Sequence, residues 1–284
     1  MSPRAIRIAA GALELEALEY GDPSARPVLA LHGWLDNAAS FDRLAPLIPD
    51  VRLIALDLPG HGRSQHRPQG VWYHYIDYVG DVLAAADALG LRRFTLLGHS
   101  LGATVASVVA AALPPRVEAL WLIEGLGPLT YPPEEALQHL RMGLEERGAA
   151  AGKQLRVFPD VDTAVAARRQ ASGLGAHAAR ALVERGIEAC QGGWRWSSDP
   201  RLTVASPLRI SETQILAVLK GIECPSLLVV ADPPPPYLST ERMERRMAEV
   251  KGIEVVRLAG SHHLHLEDPE PVARAIQAFR RRNG

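Results

Sequence analysis

Short apolar segments alternate with longer amphipathic ones over most of the chain. Eight of the short segments have the length and apolar content of buried strands, and we predict strands at 4–9, 12–19, 27–32, 51–57, 92–97, 117–123, 225–231 and 253–258. Apolar residues recur at helical spacing over 73–90 and again over 269–282. Alternating strands and helices are typical of βα units around a mostly parallel sheet. The pattern therefore predicts an α/β fold.

The alternation stops in the segment from residue 128 to residue 215. This segment is rich in Ala, Arg and Leu, and its pattern predicts several helices inserted between two core strands. Open α/β sheets bind their ligands at the carboxyl edge, so we expect the insertion to be a helical cap, or lid, over that edge. The predicted domains are an α/β core, residues 1–127 and 216–284, and the cap, residues 128–215. The alternative is a segment that only completes the core.

Composition and charge exclude several classes of partner. The 284 residues carry a formal net charge of −1, which leaves no basic field for nucleic acid or anionic lipid. No segment approaches the roughly 18 to 20 uninterrupted apolar residues of a membrane span, and the first residues lack the pattern of a secretory signal. Cys190 and Cys224 have neither disulfide-framework nor zinc spacing. We therefore expect a cytoplasmic protein without membrane insertion.

The strongest chemical signal is the segment RRFTLLGHSLGATVASVVAAAL, residues 92–113. An apolar strand leads into a Gly-x-Ser-x-Gly turn, and a helix of small residues follows. In such a turn the serine occupies a strained corner between strand and helix, and the glycines allow close backbone contacts. The helix N-terminus favours negative charge that develops beside it. We predict that Ser100 is a nucleophile.

Two earlier segments end predicted strands. PVLALHGWLDN, residues 27–37, ends at the position from which folds with such a serine turn contribute a backbone N–H to an oxyanion hole, so we predict the N–H groups of Trp34 and Leu101 as its donors. The segment ALDLPGHGRS is dense in turn-forming residues. Its Asp57 and His61 are not predicted as acid and base, because they precede the nucleophile. In enzymes with a Gly-x-Ser-x-Gly turn, the catalytic residues usually follow one another along the chain in the order Ser, acid, His.

Histidines cluster near the C-terminus, in SHHLHLEDPEPVARAIQAF, residues 261–279. A zinc site made of His262, His263 and His265 is conceivable. Adjacent histidines on a loop are weak evidence for one, and the sequence singles out no further ligand. We therefore favour a single catalytic imidazole and predict neither a metal site nor a cofactor.

Taken together, LHGW, DLPGHGRS, GHSLG and GSHHLHLEDPE resemble the α/β-hydrolase superfamily, and HGWLDNAASFDRL and GHSLGATVA are similar to its serine hydrolase-like branch. The resemblance implies a mostly parallel eight-stranded sheet flanked by helices. In this superfamily the catalytic histidine usually stands five residues before a Glu-x-Pro. Glu267 and Pro269 form that motif here. The resemblance therefore implies His262 as the base, with His263 as the fallback.

The resemblance also raises the question of the acid, because the chain reads ADPPPPYL after the strand that follows the cap. The superfamily usually places its acid three residues beyond a glycine that ends this strand. Here Ala231 replaces the glycine, and the acid's position falls on Pro234. Some members, including some haloalkane dehalogenases, take the acid from the end of the strand after the nucleophile helix, where this chain has Glu124. We predict Glu124 as the acid and Asp232 as the reserve, with the four prolines stiffening a pocket wall.

Glu124 has a plainer alternative, which is to cap a helix or to pair with a basic residue of the cap. A carboxylate at the exit of a buried strand needs a partner, because burying it unpaired costs several kcal/mol. A histidine that Glu124 orients would satisfy both groups.

The predicted function is a cofactor-free serine hydrolase that cleaves a carboxylic ester of a small or medium molecule. A lactonase, thioesterase, carbon–carbon bond hydrolase or perhydrolase would use the same residues. A small-ligand binding protein with little turnover is the alternative from another class. Dehalogenase chemistry is not expected, because those enzymes use an Asp nucleophile where this chain has Ser100. Candidate pocket aromatics are Trp121, Trp194 and Trp196. The sequence predicts neither the natural substrate nor the oligomeric state.

Overall fold

The computed structural model describes residues 3–150, 155–235 and 239–283. The first part of the chain alternates strands with helices and short 3₁₀ turns. Its elements are β1 (Arg4–Ala10), β2 (Leu13–Tyr20), β3 (Arg26–Leu31), β4 (Val51–Leu56), α1 (Tyr75–Ala88), β5 (Phe94–His99), α2 (Leu101–Ala112) and β6 (Val117–Ile123).

The inserted segment and the return to the core complete the chain. The insertion contains α3 (Ala136–Ala150), β7 (Val157–Phe158), α4 (Val161–Ser172), α5 (Ala176–Gly186), β8 (Ile187–Cys190) and β9 (Gly193–Trp196). The remaining elements are α6 (Glu212–Leu219), β10 (Ser226–Asp232), α7 (Thr240–Glu249), β11 (Glu254–Ala259), α8 (Leu264–Glu267) and α9 (Pro269–Asn283). Helix α6 begins inside the segment predicted as cap, but it packs against α2 and α7 of the core.

The main sheet has eight strands in the order β1-β2-β4-β3-β5-β6-β10-β11. The pairs β1 with β2 and β2 with β4 are antiparallel, and every other neighbouring pair is parallel. The predicted strands and the mostly parallel sheet are therefore confirmed. Because the parallel strands run in one direction, the exits of β3, β5, β6 and β10 lie along one edge.

Both faces of the sheet are covered, which explains why its central strands are almost uniformly apolar. On one face the buried residues include Val82 of α1 and Val109 of α2. On the other face they include Ile276 and Phe279 of α9. Trp121, one of the candidate pocket aromatics, is 3% exposed and belongs to this second core cluster. Its ring packs in the interior of the fold.

The insertion contains a small sheet as well as helices, which differs from the expectation of helices alone. Its three strands pair in the order β7-β9-β8. The turn between β8 and β9 contains Gly192, and Gly193 begins β9; their φ values are 89° and 140°. Such values favour glycine, so the two residues allow a tight hairpin. Trp194 and Trp196 lie on β9 and pack against the buried cluster of the insertion.

Candidate active site

Ser100 lies at the sharp corner between β5 and α2. Its backbone has φ 52° and ψ −110°, a strained conformation for a residue other than glycine. The corner depends on two glycines, because a Cβ atom on Gly102 would lie 1.9 Å from the carbonyl oxygen of Leu31. A Cβ atom on Gly98 would lie 2.5 Å from the carbonyl oxygen of Gly102. The two glycines let β3, β5 and α2 approach closely and hold Ser100 at the edge of the sheet.

This close approach leads to a test of the corner. We expect Gly102→Ala to lower the free energy of unfolding by at least about 1–3 kcal/mol, because the new methyl group overlaps backbone that cannot move aside. The matched control is Gly80→Ala in α1, where an added Cβ meets no atom within 4 Å. That change should stabilise the protein by about 0.5–1 kcal/mol, the usual gain when alanine replaces a helical glycine. Urea unfolding of both variants measures the difference, and equal effects would contradict the close approach.

Glu124 lies at the exit of β6, the strand beside β5. Its side chain is fully buried, and its Oε2 atom lies 3.1 Å from Nδ1 of His262. The other carboxylate oxygen, Oε1, accepts a hydrogen bond of 2.5 Å from the backbone N–H of Ala231 at the end of β10. The two contacts fix the carboxylate of Glu124 between the loop that carries His262 and strand β10. The geometry therefore allows Glu124 to orient the imidazole of His262.

The reserve acid, Asp232, is the last residue of β10 and is exposed to solvent. Pro234 lines a small cavity together with Glu124, Met243 and Met247. The predicted proline wall also includes Pro236, which lies outside the described residues. The carboxylate that contacts His262 is that of Glu124, at the exit of β6.

The loop after β3 carries the predicted oxyanion donor Trp34. The carbonyl oxygen of His32 accepts a hydrogen bond of 3.0 Å from the N–H of Gly102, which ties this loop to the first turn of α2. The ring of His32 is buried, and its Nε2 accepts a hydrogen bond of 3.0 Å from the N–H of Leu58. Leu101 is the first residue of α2, and the first N–H groups of a helix have no acceptor within the helix. The loop is thus held beside the corner that carries Ser100.

Positive φ angles occur at several residues near these strand exits. Among the described residues other than glycine, Leu35, Asp50, Ser100 and Glu124 have positive φ values. Leu35 follows the predicted oxyanion donor, and Ser100 and Glu124 are the predicted nucleophile and acid. Such conformations cost about 1–3 kcal/mol each and persist where surrounding contacts enforce them, which is common at functional sites.

A second polar cluster, which no sequence motif indicates, lies beside this site. It consists of Asp36, His99 and His263, whose possible ligand atoms all lie within 4.8 Å of one another. Burial, followed by the nearby His265 and His262, holds the pKa of His99 well below its ordinary value. Burial alone would raise the pKa of Asp36, but attraction to His263 and to Arg168 outweighs it and holds this pKa low. A charged carboxylate and a neutral imidazole therefore lie close together.

The third residue of the late histidine group, His265, is an interior side chain. Its ring is fully buried, and its Nε2 atom lies 2.8 Å from the hydroxyl of Ser40. Burial lowers the pKa of His265 to about 3. This histidine therefore stays neutral over the ordinary pH range.

Asp57, which the sequence excluded as the catalytic acid, has a structural role. Both oxygens of this buried carboxylate bond to Nε of Arg185, at 3.1 and 3.0 Å, and the backbone N–H groups of Ala38 and Arg63 donate to it as well. Arg185 belongs to α5 of the inserted segment. The ion pair therefore attaches the insertion to the core.

Comparisons with known proteins agree with this fold. A family model for the alpha/beta hydrolase fold matches residues 26–161. The serine hydrolase-like protein of Danio rerio is 32% identical over 279 residues, which cover 94% of this chain and 85% of that protein. The solved structure of a hypothetical protein from Pseudomonas aeruginosa PAO1 has a TM-score of 0.92 and 42% identity, and the match covers 98% of this chain and 99% of that one.

A third match carries a functional name. The thioesterase domain from the curacin biosynthetic pathway has a TM-score of 0.85 and 28% identity, with 98% of this chain and 100% of that chain covered. The fold and the family model define the class, which is the α/β hydrolases. Within this class the chain belongs to the serine hydrolase-like family, as its motifs predict. Within the described residues, no helix combines the length and the apolar character that crossing a membrane requires.

Proposed function

We propose that this protein is a cofactor-free serine hydrolase that cleaves the carboxylic ester of a small or medium molecule through an acyl-enzyme on Ser100. The observation that carries the proposal is the contact between His262 and the buried carboxylate of Glu124, beside the strained Ser100, whose N–H bonds to the carbonyl oxygen of Ile123 at the end of β6. A nucleophile, a base and a group that orients the base are the components of acyl transfer by a serine enzyme.

Each residue then has a definite role. Nδ1 of His262 faces Glu124, so Nε2 is the atom that takes the hydroxyl proton while Ser100 Oγ bonds to the carbonyl carbon. The N–H groups of Trp34 and Leu101 stabilise the negative oxygen, and each such donor typically contributes about 3–4 kcal/mol. The protonated His262 gives its proton to the leaving alcohol. Water, deprotonated by the same imidazole, then releases the acid and restores Ser100.

We further propose that the segment from residue 128 to residue 215 acts as a cap over this site. Nε1 of Trp34 donates a hydrogen bond of 3.0 Å to the carbonyl oxygen of Leu202, which belongs to that segment. The residue that supplies a predicted oxyanion donor therefore also contacts the cap. This contact supports a role for the cap in admitting and holding the substrate.

A thioester is the second candidate substrate. The observation in its favour is the structural similarity to the curacin thioesterase domain over 98% of this chain. Ester and thioester cleavage use the same nucleophile, base and oxyanion hole, and they differ in the leaving group. A pair of substrates with one acyl group, offered once as an oxygen ester and once as a thioester, compares the two directly.

The test of the proposed function is labelling by a fluorophosphonate, followed by intact-mass analysis. We expect one covalent adduct on the unmodified protein and none on Ser100→Ala. A panel of nitrophenyl esters of increasing acyl length then measures which chain lengths the site accepts. Folded protein that takes no label and hydrolyses no ester would contradict an activated Ser100 and would favour a ligand-binding protein.

A further inference from the structure

The hydrogen bond of His99 determines which ring nitrogen carries the proton. Its Nε2 lies 2.8 Å from the carbonyl oxygen of His262. A carbonyl oxygen can only accept, so Nε2 is the donor, and in the neutral ring Nδ1 presents a lone pair. The Nδ1 atom lies 3.7 Å from Oδ2 of Asp36, and this carboxylate oxygen is also an acceptor. Two buried acceptors thus face each other.

Neither of these atoms has a hydrogen-bond partner within the described residues. The third group, Nε2 of His263, lies 3.2 Å from the same Asp36 oxygen, which is within ion-pair distance, and its attraction contributes to the low pKa of Asp36. Buried polar atoms are nearly always satisfied, so an unsatisfied pair that faces a third polar atom needs an explanation. A cation held among the three atoms would satisfy all of them.

The distances suit a small transition-metal ion. A tetrahedral Zn²⁺ ion with nitrogen and oxygen ligands at about 2.1 Å places its ligand atoms about 3.4 Å apart. The Asp36 oxygen lies 3.7 Å from the His99 nitrogen and 3.2 Å from the His263 nitrogen. One carboxylate and two imidazoles form a donor set that zinc accepts, and a water molecule completes the fourth position in such sites.

Gly33 leaves space beside two of the three ligand atoms. A Cβ atom on residue 33 would lie 2.8 Å from Nδ1 of His99 and 3.1 Å from Oδ2 of Asp36. Any other residue would fill this space. The glycine of the loop after β3 therefore keeps the approach to both atoms open.

The surrounding contacts are those expected of metal ligands. A ligating histidine usually donates its second ring N–H to a carbonyl or carboxylate, as His99 does to His262. The remaining oxygen of Asp36 accepts from the guanidinium of Arg168, on α4. The positive charge of Arg168 repels a cation and lowers the affinity of the site for it. The carboxylate of Asp36 nevertheless binds Arg168 through one oxygen and leaves the other oxygen for the cation. His263 is the most exposed of the three side chains, at 13%, and provides the route of entry.

We propose that Asp36, His99 and His263 bind one divalent transition-metal ion, with Zn²⁺ the best match, at a site separate from the Ser100, His262 and Glu124 group. The sequence predicts no metal site, because the three residues come from three separate motifs. Only His263 belonged to the zinc alternative considered from the sequence. The ion would fix the loop that carries His262, through His263 and through the hydrogen bond from His99.

The experiment is a titration of chelator-stripped protein with Zn²⁺ by calorimetry, and with Co²⁺ by visible absorption. We expect one ion per chain and a tetrahedral cobalt spectrum. His263→Gln should weaken binding by at least about 100-fold, since even the outer partners of a metal ligand contribute about 10- to 100-fold to affinity. The matched control is His177→Gln, which removes an exposed histidine of α5 and should leave the titration unchanged.

A further variant, His262→Gln, separates this site from the proposed catalytic pair. Binding should persist in His262→Gln, because the three proposed ligands remain. Binding that is lost in His262→Gln but kept in His263→Gln would overturn the proposal, as would the absence of binding by the folded unmodified protein. Melting temperatures without metal show that each variant is folded. The titration needs no substrate, so its failure is independent of the proposed hydrolase activity.

Discussion

Glu124→Gln is expected to lower kcat/KM for ester hydrolysis about 10⁴-fold, the loss seen when an amide replaces the acid of a serine triad. The amide oxygen of the glutamine would accept the hydrogen bond from the N–H of Ala231, which leaves its NH₂ group facing Nδ1 of His262. Nδ1 would then have to accept, so the proton would move to Nε2. The imidazole would lose the lone pair that removes the proton of Ser100.

Asp232→Asn provides the control, because it makes the same chemical change at the reserve acid. Asp232 is exposed at the end of β10, and we expect this variant to keep near-normal activity. Initial rates with a nitrophenyl ester and rates of fluorophosphonate labelling measure both variants. A severe loss in Asp232→Asn with little loss in Glu124→Gln would return the acid to the loop after β10.

Arg185→Met is expected to lower the free energy of unfolding by about 3 kcal/mol, the lower end of the cost of breaking a buried ion pair. The carboxylate of Asp57 would stay buried without its charged partner. Two backbone N–H groups, from Ala38 and Arg63, would still bond to it and moderate the loss. For a chain of this size each kcal/mol corresponds to about 2–4 °C, so the melting temperature should fall by about 6–12 °C.

The matched control for this variant lies on the same helix. Arg180 of α5 pairs with Asp162 and Glu184 at the surface. Exposed ion pairs contribute little, so Arg180→Met should leave the melting temperature unchanged within error. Thermal unfolding followed by circular dichroism measures both variants. Equal melting temperatures for the Arg185 and Arg180 variants would show that the buried pair does not stabilise the attachment of the insertion.

The sheet could be predicted from the sequence because its strands are buried on both faces and separated by clear turns. The corner at Ser100 could be predicted for a related reason, since Gly102 is required by a backbone contact with β3 and Gly98 by one with α2. Glu124 was predicted because Pro234 occupies the usual position of the acid, and because a carboxylate buried at a strand exit needs a partner. Its role as the triad acid stays a prediction until the variants are measured.

The small sheet of the insertion and the Asp36 cluster were not predicted, for different reasons. The hairpin of β8 and β9 had a local signal, because Gly192 and Gly193 separate two short segments that contain Ile187 and Trp194. The helical character of the surrounding sequence obscured this signal. The Asp36 cluster had none, because its members come from the exits of β3 and β5 and from the loop before α8. Only the folded sheet brings them together.

The bond from Ala231 to Glu124 has an evolutionary consequence. Because the donor is a peptide N–H, side-chain substitutions at residue 231 retain it, with proline as the exception. The orientation of the Glu124 carboxylate therefore does not depend on the side chains of the segment that follows β10. A run of prolines could accumulate there without passing through inactive ancestors, provided that the acid had already moved to β6.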